Sequence, residues 1–390
     1  MKKTYSIMLS FILIVLAIIP AIYAEDYFNI KDLAQNTPKE WRQTYQAYGR
    51  TIEIDTEIKI PDVEAAPILK VSQRKPFEGK ELEHWLNVFG VDSNEGIRRD
   101  STGKYWYFFG SDEDRTVFDF NCPAANEDIG ETWQKISEPE DALLAYDINE
   151  AYAPRNDLTI AQALDIAKQR TREVMGEEVD FVLDTVALKG YYDRKTHKPI
   201  RKVDGYYFQC MPVMEGIPCI KTTITGDYWK NSKIFASIFS ADSYSIMCSL
   251  FNKDEVLVQD IPLCSFEKIK TSIESLIMNG RIRKIYKVRL VYGTFYDKDK
   301  GFVMVPVWNA DCEIHLDAKK EKNEFDQKGP FYEMSCYRPV VVNAQTGELL
   351  FVGANQTSND WYAEEFSKRK DQTEECDARE GLPKILLWSK

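Results

Sequence analysis

The sequence predicts an α+β protein, with an N-terminal mixed α/β module followed by two units that each lay a helix on an antiparallel sheet. Three observations lead there. Strand-period alternation runs through "GRTIEIDTEIKIPD", where Ile52, Ile54, Ile58 and Ile60 alternate with polar residues. Two amphipathic helical stretches, beginning near Thr159 and Ser265, each precede several strand-like segments. The order helix, long strand, aromatic hairpin, terminal hairpin then occurs twice, matched in pattern rather than identity.

Taken in order, the chain opens with Lys2 and Lys3, an apolar run from Ile7 to Ile19, Pro20, and small Ala21 and Ala24 before Glu25. That is the layout of a secretory signal peptide over residues 1–24. The core is short for a spanning helix, which needs about 20 apolar residues. Cleavage after Ala24 is therefore expected rather than a retained anchor. No Cys lies near the cut to accept a lipid, so the expected mature chain is secreted or extracytoplasmic, with no stable membrane anchor.

Residues 25–155 form the expected N-terminal module. After the Ile-rich strand, "EGKELEHWLNVFG" places Leu82, Trp85, Leu86 and Phe89 at helical spacing before Gly90. "KYWYFFG" and "RTVFDFN" then read as paired strands around the polar turn "GSDEDR".

Unit one, residues 156–260, begins with the clearest helix. "LTIAQALDIAKQRTREVMG" puts Ile160, Ala163, Leu164, Ala167, Thr171 and Val174 on one face, and Thr159 with Gln162 has the form of a capping box. Unit two, residues 261–355, begins with a helix that turns Phe266, Ile269, Ile273, Leu276 and Ile277 inward and ends at Gly280. Its last segment, "VVVNAQTGELLFV", reads as a hairpin, with Asn343 initiating the turn and Gly347 free to take positive φ. Residues 356–390 form a charged extension in which Ile385, Leu386, Leu387 and Trp388 are placed to dock as a final strand.

Charge narrows the function classes. The chain carries 50 Lys and Arg against 62 Asp and Glu. Without residues 1–24, which hold two Lys and no acids, the balance is 48 − 62 = −14. Such a surface repels phosphate backbones and anionic lipid heads, so nucleic acid is not an expected partner.

Eight cysteines, at 122, 210, 219, 248, 264, 312, 336 and 376, permit up to four disulfides in an exported chain. Cys210, Cys248 and Cys312 nevertheless lie in apolar strand-like runs, where buried free thiols are common. No CxxC or zinc spacing occurs.

Catalytic motifs are scarce. No GxSxG, Walker loop or GxGxxG is present, and His84, His197 and His315 are far apart in sequence. Ser265 with Lys268 and Ser72 with Lys75 make SxxK, without the companion SDN or KTG; Ser265 sits where a helix N-cap belongs. The acidic runs at Asp112, Glu113, Asp114 and at Glu138, Glu140, Asp141 read as solvated turns. "YDKDKG" resembles half a calcium loop but reads as a β-turn. No catalytic, metal or cofactor residues are assigned. Aromatics are richer: Trp106, Phe108, Tyr207 and Trp308 lie in strand-like runs, where some side chains build the core and others can form a binding surface.

With "VPVW" and "VNAQTGE" in hand, the two units resemble PepSY-type domains and YycI-type regulators of bacterial envelopes. From "WRQTYQAYGRTIEIDTEIKIPDV" onward the chain is also similar to an uncharacterised group of secreted or lipid-anchored clostridial proteins. The resemblance implies a non-enzymatic envelope role, binding a peptide, a peptidase or another envelope protein, with no cofactor. It departs from those regulators in lacking a retained anchor and from the lipid-anchored relatives in lacking a lipobox Cys. The terminal turn of unit one, "FNKDEV", also lacks the glycine. The alternative is a secreted hydrolase that brings carboxylates together on a glycan.

Overall fold

The protein is described by a computed structural model covering residues 27–47, 49–74, 79–88, 97–99, 105–112, 115–120, 129–136, 158–193, 199–223, 232–297, 299–315, 335–352, 383 and 385–387. The expected signal peptide, with its cut after Ala24, lies outside these residues. So do "EPED", His197, and the charged centre of the extension.

In chain order the strands are β1 (Tyr27–Phe28), β2 (Glu40–Ala47), β3 (Arg50–Lys59), β4 (Ile68–Gln73), β5 (Ile97–Arg99), β6 (Tyr105–Asp112), β7 (Arg115–Phe120), β8 (Ile129–Ile136), β9 (Asp180–Asp193) and β10 (Pro199–Met214). They continue as β11 (Ile217–Thr223), β12 (Lys233–Ser240), β13 (Ser243–Ser249), β14 (Phe251–Val258), β15 (Leu263–Cys264), β16 (Ile282–Asp297), β17 (Gly301–His315), β18 (Ser335–Asn343) and β19 (Leu349–Val352). The helices are α1 (Ile30–Asn36), α2 (Gly79–Val88), α3 (Ile160–Met175) and α4 (Phe266–Met278).

This corrects the expected fold class. The molecule is mostly β-sheet, with four helices among the described residues, and is not an α+β arrangement of helix-on-sheet repeats. Nor do the strands of residues 25–155 form a module of their own. The chain divides into two compact units: Met1–Lys70 with Ile224–Gly226 and Glu255–Lys390, and Val71–Thr223 with Asp227–Asp254. The physical reason is that alternation reports which face of a strand is buried, while its hydrogen-bond partners come from distant sequence.

In the first unit β16 and β17 form a long antiparallel hairpin from Ile282↔Ile314 to Asp297↔Gly301, with register shifts between Ile282 and Lys284 and between Ile285 and Lys287. Its turn is "YDKDKG". Asp297 Oδ1 accepts the N–H groups of Asp299 and Lys300 at 2.9 Å each, an Asx turn rather than a cation loop. β18 pairs with β17, and β19 folds back on β18. β3 lies parallel to β16 through Ile58↔Val288 and Lys59↔Arg289, so the sheet is mixed. The alternation in β3 behaves as read: Ile52, Ile54, Thr56 and Ile58 are buried and Glu53, Asp55 and Glu57 exposed, with β2 antiparallel beside it. From Val288 to Phe295, β16 is buried on both sides, which accounts for its mostly apolar character.

α4 closes this core with Phe266, Ile269, Ile273, Leu276 and Ile277. Phe266 sits between two indoles, edge-on to Trp41 at 6.0 Å and tilted against Trp308 at 5.3 Å. Tyr45 Oη donates to Glu274 Oε1 at 2.5 Å, holding the outer side of the helix to β2.

The second unit holds an antiparallel sheet whose pairings run β5, β6, β7, β13, β12, β10, β9, β8, with β11 folding back on the end of β10. α3 covers one face. Its Ala163, Ala167 and Val174 meet Phe181, Val186, Tyr206, Phe208, Cys210, Ile234, Ala236, Ile238, Tyr244, Ile246 and Cys248. Burying each such large side chain is worth about 1.5–3 kcal/mol, so this face holds the unit together. Thr159 starts α3 with a capping box, both reciprocal hydrogen bonds to Gln162 being present. Arg74 Nη1 caps the other end, donating to Met175 O at 2.6 Å. Among the described residues no helix is long and apolar enough to cross a membrane.

Candidate functional site

The face of the second unit's sheet that α3 does not cover has a different chemistry. On β10, Tyr207 and Gln209 alternate with buried Tyr206, Phe208 and Cys210. On β12, Lys233 and Phe235 are half-buried and Ser237 is buried. On β13, Ser243, Ser245 and Met247 are half-buried. Tyr207 and Phe235 occupy diagonal positions of adjacent strands and stack, with ring centroids 5.9 Å apart and planes 13° from parallel. Lys233 Nζ lies 5.2 Å from the Phe235 ring centroid. The result is an aromatic pair edged by an ammonium, an amide and hydroxyls, on a sheet whose shape is fixed from behind by the α3 core.

Register places two residues named from sequence in the same sheet. Tyr207 pairs with Ser237, Ser237 with Ser245, Ser245 with Asp119 and Asp119 with Phe108. Phe108 therefore stands in the same row of the sheet as Tyr207, and Trp106 is two positions along β6; the side chains of both lie outside the described part of the structure. Trp308 is a correction. It is fully buried against Phe266, because β17 turns it toward α4, and contributes to the core of the first unit rather than to a binding surface.

Asn343 and Gly347 stand at the β18–β19 turn. Asn343 Oδ1 accepts the N–H groups of Gln345 at 2.8 Å and Thr346 at 3.3 Å, and Gly347 N donates to Asn343 O at 2.9 Å. Gly347 has φ +73°. Ser272 Oγ donates to Gly347 O, and Cys264 N donates to Ala344 O at 2.8 Å. The turn thus fastens β15 and α4 to the end of the hairpin.

Sequence reasoning missed Gln345. It is fully buried, and its carboxamide holds two other segments: Nε2 donates to Pro262 O at 3.1 Å and to Leu386 O at 2.7 Å, while Oε1 accepts from Leu386 N at 3.0 Å. A Gln in a turn gives no local sign of such long-range bonds. Leu386 does dock, as its apolar run suggested, but onto this side chain rather than as a strand.

A second missed group is the ion pair of Arg289 and Asp311, buried on β16 and β17. Asn309 Nδ2 donates to the other Asp311 oxygen at 3.0 Å. With both oxygens engaged, the carboxylate is held as a structural anion. Charged residues inside "KVRLVYG" and "WNADCEIH" were the available signal.

The remaining chemical candidates resolve into structural roles. Ser72 Oγ donates to Asp254 Oδ1 at 2.7 Å. Ser265 occupies the N-cap of α4, with its hydroxyl making no capping hydrogen bond. His84 is exposed on α2. Among the described residues Cys210, Cys219, Cys248, Cys264 and Cys312 are buried and not disulfide-bonded, so the four bridges that the count permits are not all formed. Burial pushes the Cys219 thiol up to about 12 and raises Cys248 and Cys312 as well, so these thiols stay protonated and unreactive. Among the described residues no group of three or more His, Cys, Asp or Glu is placed to hold a metal ion.

No family model matches the chain. No curated protein matches it either. Among solved structures it is similar to an uncharacterized protein from Eubacterium rectale ATCC 33656, at 15% identity and a TM-score of 0.48, covering 82% of this chain and 96% of that one.

Proposed function

We propose that this is a secreted, non-enzymatic binding or regulatory protein of the cell envelope, acting through the face of the second unit's sheet opposite α3 on a peptide or protein partner. One observation carries the reading. The two faces of a single sheet are built from different materials: aliphatic and aromatic core against α3 on one side, and the stacked Tyr207–Phe235 pair with Lys233, Gln209 and serines on the other. Aromatic rings with polar edges supply rigid contact area at low entropic cost, the usual make-up of a protein interface centre. The sequence resemblance to envelope regulators and the signal-peptide layout support the extracytoplasmic part of the reading.

The test is a capture experiment on the tagged mature chain, residues 25–390, with an extract of its own cell surface. A protein or peptide species recovered with the native chain, and lost with Tyr207→Ser and Phe235→Ser while the fold is retained by circular dichroism, is the expected result. Equal recovery by native and variant chains, or turnover of cell-surface polysaccharide in place of capture, would refute it.

A further inference from the structure

The way Gln345 holds residue 386 goes beyond the sheet face and stands independently of it. A buried carboxamide gives one acceptor to the N–H and one donor to the C=O of the same residue, which is how a neighbouring strand recognises extended backbone. Nothing in those two bonds reads the Leu386 side chain. The carboxamide is itself preset: Asn343 fixes the Gln345 backbone N–H, and Nε2 is shared with Pro262 O. The segment it holds is seated shallowly. Pro383 is buried, Ile385 and Leu386 are half-buried, and Leu387 is 65% exposed. Thirty residues, 353–382, separate Val352 from Pro383 in the sequence, so the docked segment is remote in sequence from the hairpin that holds it.

We propose that the slot beside the Asn343–Glu348 turn is a peptide-binding site, occupied in cis by the chain's own Pro383–Leu387 segment and able to take an extended apolar peptide in trans when that segment is displaced. Tethering makes the cis contact intramolecular, so it outcompetes a free peptide of equal intrinsic affinity. Displacement leaves a buried amide short of partners, and that cost favours reoccupation of the slot by any strand-like backbone presenting one N–H and one C=O.

The test uses the full mature chain and a fluorescein-labelled synthetic peptide, GLPKILLWSK, identical to residues 381–390. In the protein, Leu386→Pro removes the N–H that Gln345 accepts and releases the segment. By fluorescence anisotropy, Leu386→Pro protein binds the peptide at least tenfold tighter than the native chain. A peptide carrying the same Leu→Pro change loses at least tenfold in affinity for the Leu386→Pro protein, a comparison that leaves the protein fold untouched. Adding Gln345→Met to Leu386→Pro weakens binding of the unmodified peptide by a similar factor. Equal binding by native and Leu386→Pro chains, equal binding of the two peptides, or no peptide binding to Leu386→Pro protein would overturn the proposal.

Discussion

Arg289 and Asp311 meet diagonally across adjacent strands as an ion pair whose side chains are about one-tenth exposed, inside a sheet whose buried residues are mostly apolar. A pair this dry is an asymmetric liability: intact it is roughly neutral, broken it leaves a buried charge. Asp311→Ala is expected to cost about 3–5 kcal/mol in urea unfolding, since Arg289 then loses its counter-charge. Arg289→Met with Asp311→Leu recovers most of that loss and leaves about 1–3 kcal/mol, because Asn309 Nδ2 no longer has its acceptor. A double variant less stable than Asp311→Ala would mean the pair contributes net attraction.

Gly347 combines two constraints. Its φ of +73° is unfavourable for any residue with a Cβ, and an added Cβ would lie 2.9 Å from Lys268 Cγ. Gly347→Ala is expected to cost about 1–2 kcal/mol from the backbone alone, and Gly347→Val more. Placing Gly347→Ala in a Lys268→Ala background relieves the contact and leaves only the backbone part. A thermal melt that finds Gly347→Val as stable as the native chain contradicts the turn geometry.

The two main helices differ at their starts in a way that mutation can read. Thr159→Ala removes a working cap and is expected to cost about 1 kcal/mol. Ser265→Ala removes a hydroxyl that makes no capping bond, and a change within about 0.5 kcal/mol is expected. Urea midpoints of the two variants, with equal slopes, check the contrast; equal losses would contradict it.

How much of this was legible in the sequence follows from the range of each interaction. The strand alternation at Ile52, Ile54 and Ile58, the inward face of α4 and the Thr159 cap are local patterns, and each is found as read. The fold class was not, because β3 finds β16 and β7 finds β13 across long stretches of sequence that periodicity cannot see. The same limit applies to the sites. Tyr207 and Trp308 look alike as strand aromatics, and only the placement of α3 and α4 decides that one is half-buried beside Phe235 and the other sealed against Phe266. Gln345 carried no sequence signal because its partners are 83 and 41 residues away.

Tyr45 gives a pH signature. Burial first, and then the hydrogen bond to Glu274, raise its phenol above the ordinary value of 10.0. The folded state therefore keeps a proton that the unfolded state releases, so this contribution is fully present below about pH 10 and is lost as pH rises above it. Tyr45→Phe is expected to flatten the alkaline limb of the stability profile. An unchanged slope above pH 10 would show that the phenol titrates normally.

The most direct test of the binding reading places a photo-crosslinking amino acid at position 207 of the chain in its own cells, with exposed Lys80 on α2 as the control position. The account predicts a discrete higher-mass adduct with a protein or peptide from position 207 and none from position 80. No adduct at 207, or the same pattern from both positions, would contradict it.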